Sequence, residues 1–204
     1  HVVMYRTGIA WQNNCYNQPG YPSFYYASDM DFANVLPQLR ARPTVYLAAD
    51  STVQSYTEAE APQTGWGQQL WRCLRGANLC RVDTRPGCPF PQERRYHLPD
   101  LTIDNCAMAS SRSFREEGRL ADIEASLRPG DYLVVQFGHN DAYREKAERY
   151  VAPEAFGASL QPYLDAARRH GATCIFVSPV AMRIFDENGV CHPSFPEYRE
   201  AMAR

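Results

Sequence analysis

Two short polar clusters, each following an apolar run, hold the side chains that could do chemistry. Asp50-Ser51-Thr52 follows the run Thr44–Ala49, and Gly138-His139-Asn140-Asp141 follows Asp131–Phe137. A serine hydroxyl can attack a carbonyl carbon, and backbone N–H groups beside it can hold the oxyanion that develops. An asparagine carboxamide can offer its N–H₂ to the same oxygen. The chemistry these groups could share is acyl transfer through serine. Neither cluster is specific alone, because Asp50-Ser51 also reads as a helix cap and Gly138–Asp141 as a loop turn.

Both clusters need elements that bring them together. Thr44–Ala49, Leu101–Ala107, Asp131–Phe137 and Cys174–Ser178 read as buried strands, rich in β-branched and aromatic residues. Between them, helical spacing runs from Gly65 to Leu74, from Phe114 to Leu127 and from Pro153 to His170; Pro129-Gly130 and Gly171 act as stops for the second and third. Strands alternating with crossover helices imply a parallel sheet covered on both faces, with its site at the carboxyl ends of the strands. Ser51 and Asn140 both stand at such ends. Residues 76–99, with four prolines among charged residues, read as an irregular surface excursion.

The chain of 204 residues carries 21 Lys+Arg against 23 Asp+Glu, a formal charge of −2, so nothing calls for a nucleic-acid partner. No stretch approaches the roughly 20 apolar residues of a membrane helix, and no membrane partner is expected. Seven cysteines, an odd number, favour free thiols and a reducing compartment over a disulfide framework. Cys73, Cys80, Cys88 and His97 lack the tight Cys-x-x-Cys pairs of a zinc site, and no residue pattern demands a metal or organic cofactor. Residues 1–41, rich in Tyr, Asn and Pro, read as a lead-in, the end of a preceding module. Their aromatics, among them Trp11, Tyr21, Tyr25 and Tyr26, suit either a core or a sugar-stacking surface.

Taken in order, Ala49-Asp50-Ser51 and Phe137-Gly138-His139-Asn140-Asp141 resemble the first and third blocks of the SGNH (GDSL) hydrolases. The longer run from Asp131, with Glu116-Glu117-Gly118-Arg119-Leu120 upstream, is similar to the rhamnogalacturonan acetylesterase branch, as are Ser178-Pro179-Val180 with Arg183, Phe185 and Asp186, and Tyr198 with Ala201-Met202. The resemblance runs from about Arg42 to Arg204. It implies a flavodoxin-like three-layer αβα sandwich and an esterase releasing acetyl groups from an acetylated pectic carbohydrate. It also implies that Ser51 in the Asp50-Ser51 block is the nucleophile, Asn140 an oxyanion donor, and His139 an orienting residue. A non-catalytic carbohydrate-binding module of the same fold, or an esterase for another acyl group, are the alternatives.

Three departures matter. Ala49 stands where the first block has glycine. The second block lacks its glycine: Asn105-Cys-Ala-Met-Ala-Ser-Ser-Arg-Ser113 leaves the backbone N–H of Ala109 or Ser110 as the donor. A positive φ there would cost a residue with a Cβ on the order of 1 kcal/mol. Finally, the Asp-x-x-His pair that supplies the family's general base does not follow Ser178. The expectation is therefore a domain lacking its last strand and catalytic loop, inactive in this form.

Overall fold

The computed structural model describes residues 42–74, 78–192 and 194–204; the lead-in and its aromatics lie outside these. A six-stranded sheet organises them. Its strands are β1 (Thr44–Ala49), β2 (Arg81–Asp83), β3 (Arg94–His97), β4 (Thr102–Asn105), β5 (Tyr132–Gln136) and β6 (Thr173–Phe176), in the order β2-β3-β4-β1-β5-β6. β4, β1, β5 and β6 are parallel; β2 and β3 pair antiparallel and join the sheet through β4.

That hairpin corrects the reading of residues 76–99 as irregular throughout. Its strands are only three and four residues long, too short to show period-2 patterning among arginines. It also places His97 in a strand, paired with Thr102.

Alternation along the central strand divides the core. Tyr46 and Ala48 face one side with Phe114, Phe137, Phe156, Leu160 and Tyr163, while Val45, Leu47 and Ala49 face the other with Val53, Leu70, Ile103 and Val134. The first side is covered by α2 (Ser111–Glu116), α3 (Arg119–Glu124), α4 (Pro153–Arg169) and α5 (Pro196–Ala203). The second packs against α1 (Trp66–Gln69) and the 3₁₀ turn Leu70–Cys73 that continues it. The result is the expected three layers, more heavily helical on one face. The helix read as Phe114–Leu127 is two, broken at Gly118, where φ is +78°. No helix among the described residues is long and apolar enough to cross a membrane.

Candidate active site

The registers of the parallel strands set the site. β1 runs alongside β4 with Leu47 opposite Asn105, and alongside β5 with Ala49 opposite Gln136. Past the last β1–β4 pair the ladder continues, the N–H of Met108 donating to the carbonyl of Ala49 at 2.7 Å. Ser51, Ala109 and Gly138-His139-Asn140 therefore leave three adjacent strands at one edge of the sheet. A cavity of about 480 Å³ lies at the opposite edge, lined by Thr44, Thr102, Arg128 and Asp131 among others, and holds none of the candidate residues.

Around Ser51 the backbone is tied down on both sides. Asp50 Oδ1 accepts from the Thr52 N–H at 2.9 Å and hydroxyl at 2.7 Å, and the Ser51 carbonyl accepts from the Tyr56 hydroxyl at 2.8 Å. The Ser51 N–H has no acceptor among the described residues. Helix α1 packs close behind: a Cβ on Gly67 would stand 2.6 Å from Val53 and 2.8 Å from Asn105 Nδ2. Asn105 in turn donates to the Val53 carbonyl at 2.8 Å and to Ser55 Oγ at 2.9 Å.

Asp50 is fully buried, and burial drives its carboxyl up to about 7 against the two bonds from Thr52. An unfolded aspartate titrates near 3.8. The folded state thus binds the extra proton across the interval between, and the stability it gains is complete below about pH 4 and lost as pH rises through about 7. Asp50→Asn keeps an acceptor for Thr52 and removes the ionisation. In urea unfolding the variant is expected to exceed the parent by on the order of 1 kcal/mol at pH 8.5, with the margin shrinking at pH 5.5.

The β4 loop carries the strain foreseen for a missing glycine. Ala109 sits at φ +66°, in the left-handed region. Its N–H, like that of Ser110, meets no acceptor among the described residues, whereas Ser110 Oγ caps α2 by accepting from the Ser113 N–H. Ala109→Gly is expected to raise stability by about 0.5–1 kcal/mol, seen as a higher urea midpoint at unchanged m-value.

After β5, Gly138 takes φ +121°, and a Cβ there would lie 3.1 Å from Pro179, so the turn requires glycine. Its N–H donates to Asp141 Oδ2 at 2.9 Å, and Asp141 Oδ1 accepts from the N–H and hydroxyl of Ser111. Burial raises the Asp141 carboxyl while these bonds pull it back. The Tyr198 hydroxyl closes the loop by donating to the carbonyls of Asp141 and Val151. Between these anchors Asn140 turns its carboxamide oxygen to Arg149, at 2.9 Å, leaving the N–H₂ as its donor end. His139 packs its ring against Tyr143 and Phe195, with Nδ1 buried and unpartnered; burial lowers its pKa.

Several site residues carried no recognisable signal of role in sequence. Gln136 accepts from Trp66 Nε1 at 2.8 Å and donates to the Ser178 carbonyl at 2.7 Å, linking α1, β5 and the segment after β6. Asp141 and Arg149 hold the third loop. Asp141 stood inside the recognised block, but its anchoring role depends on Ser111, 30 positions away. No described histidine is hydrogen-bonded to Ser51: His97 pairs with Asp83, His170 with Glu124 and His192 with Asp186.

Cys88, Glu93 and Asp122 converge closely enough to hold a metal ion. Arg85 already donates to all three, so a guanidinium satisfies these acceptors. The six described cysteines are free thiols.

Over 162 residues the chain is 39% identical to a probable rhamnogalacturonan acetylesterase, YesY of Bacillus subtilis (strain 168), a match covering 78% of this chain and 63% of the relative. Over most of its described length the chain is similar to the rhamnogalacturonan acetylesterases. The rhamnogalacturonan acetylesterase RhgT of the same organism is 37% identical over 158 residues, covering 78% of this chain and 58% of RhgT. This chain therefore spans about 60% of the length of these relatives. The crystal structure of B. subtilis YxiM shares the fold, with a TM-score of 0.58 at 22% identity over 91% of this chain and 46% of that one. Residues 1–35 match a different family, the C-terminal domain of rhamnogalacturonan lyase family 11.

Proposed function

We propose that the chain is a serine acetylesterase acting on O-acetylated rhamnogalacturonan or its oligosaccharides. The observation that carries this reading is the delivery of Ser51, Ala109 and Asn140 to one sheet edge by the adjacent strands β4, β1 and β5. Similarity to two proteins named as rhamnogalacturonan acetylesterases supports the substrate class. The lyase-family match of residues 1–35, in a separate part of the chain, points to the same polymer.

In this reading Ser51 Oγ attacks the acetyl carbonyl as its proton passes to a general base, which no described histidine supplies, so turnover is expected only in a form of the protein that carries that base. The oxyanion is held by the Ser51 N–H, by the N–H of Ala109 or Ser110, and by Asn140 Nδ2. Collapse breaks the ester C–O bond and releases the sugar hydroxyl; water then attacks the acetyl-serine and frees acetate. Asp50 acts through Thr52 and the backbone, and His139 through packing, so both are positioning residues. Acetate release from acetylated rhamnogalacturonan, compared with acetylated xylan and p-nitrophenyl butyrate, tests the proposal. Preference for the first supports it; binding of the pectic saccharide with no hydrolysis would favour a carbohydrate-binding module.

A further inference from the structure

Arg119, the first residue of α3, is 1% exposed, yet its Nε and Nη2 reach no hydrogen-bond partner among the described residues. Its guanidinium lies over the rings of Phe90 and Phe114, at 4.5 and 5.3 Å, and Nη1 donates to the carbonyl of Met108 at 3.3 Å. Burying a cation with two unanswered N–H directions is costly, and stacking on two rings offsets only part of that cost. An apolar side chain would fill the same space without the penalty. The one acceptor the guanidinium reaches among the described residues is therefore informative.

That acceptor belongs to the peptide linking Met108 to Ala109. A trans peptide is planar, with its C=O and N–H pointing in opposite directions, so whatever fixes the Met108 carbonyl also fixes the direction of the Ala109 N–H. The preceding peptides are pinned too: Ala107 N–H donates to Asn105 Oδ1 at 3.2 Å and Met108 N–H to the Ala49 carbonyl. The next bond that could swing the peptide is at Ala109, whose φ of +66° is unfavourable for a residue with a Cβ. We propose that Arg119 is a positioning residue that holds the Met108–Ala109 peptide with its N–H turned to the Ser51 side, choosing Ala109 rather than Ser110 as the oxyanion donor. The inference rests on the acetylesterase reading for its catalytic consequence and on geometry alone for the peptide orientation.

Kinetics of p-nitrophenyl acetate hydrolysis, measured in a form of the protein that carries the general base, and crystal structures of Arg119→Met and Arg119→Lys test it, with Ser51→Ala as the control. Arg119→Met is expected to lower kcat on the order of tenfold at unchanged KM, because the donor stays but loses its aim. Arg119→Lys, which keeps a cation near the carbonyl, is expected to recover most of the loss, a rescue that mere packing would not produce. The Arg119→Met structure should show the Met108–Ala109 peptide rotated. Wild-type kcat in Arg119→Met, or an unrotated peptide, overturns the proposal. Should Arg119→Met fail to fold, Arg119→Lys with parental stability and a loss in kcat as large as that of Asn140→Ala overturns it as well. Hydrolysis independent of Ser51 instead sinks the acetylesterase reading, and the two structures still decide the peptide's orientation.

Discussion

In a form of the protein that carries the general base, alanine in place of Ser51 is expected to cut acetate release by about 10⁴-fold or more, while the folded protein stays intact. The bonds that shape this loop run through main-chain atoms and neighbours: Thr52 to Asp50, Tyr56 to the Ser51 carbonyl, and the Val53 N–H to the Asp50 carbonyl. None uses the serine hydroxyl, and Ser51 is only half-buried. Removing one oxygen there should leave unfolding free energy within about 0.5 kcal/mol of the parent. A matched pair of measurements, initial acetate release and urea unfolding, separates lost chemistry from lost structure. Retention of more than about a tenth of the rate would mean that another group performs the attack.

The second large effect is expected at Asn140. Deleting one side-chain donor of an oxyanion site typically costs 10²–10³ in kcat, and Asn140→Ala should fall in that range with KM nearly unchanged, since the donor serves charge that develops only in the transition state. Asn140→Asp is the sharper test. The carboxylate would keep the partner of Arg149, held at 2.9 Å in the parent, and so preserve the loop, but it would present negative charge where a donor is needed. Its kcat is expected to fall at least as far as that of Asn140→Ala. Equal loss in kcat/KM through KM alone, in either variant, would assign Asn140 to substrate binding instead.

The parallel half of the sheet was legible because strands buried on both faces leave long apolar runs, and Thr44–Ala49 and Asp131–Phe137 are such runs. Ser51 and Asn140 could be found by looking just past those runs. The β2–β3 hairpin was not legible, because its strands are short and largely charged, and the partners that stabilise them, Asp104 for Arg95 and Asp83 for His97, are known only once the strands are paired. The break at Gly118 escaped the reading, since an isolated glycine within a helical pattern does not by itself end a helix. The strain at Ala109 was foreseen from the absent glycine, a case where a residue's lack of freedom is itself a signal. What sequence could not supply was the support behind the site. Gln136, Asp141 and Arg119 each act on loops far from them in the chain, through bonds to main-chain atoms that carry no sequence identity.

The central place of β1 also constrains how the molecule is made. Its start is fastened to the residue before β5 by a bond from the Thr44 N–H to Asp131 Oδ1, 87 positions later. At synthesis rates of 5–20 residues per second, roughly 4–17 s separate the two partners as they leave the ribosome. Until Asn105 is made the run Val45–Ala49 has neither of its strand neighbours, and through the rest of the interval it has β4 but not β5, so the slow non-local pairings of a parallel sheet come due one after the other. Ser51 is thus translated early and assembled late, and until its neighbours are made the growing chain exposes the apolar stretch that will become its central strand.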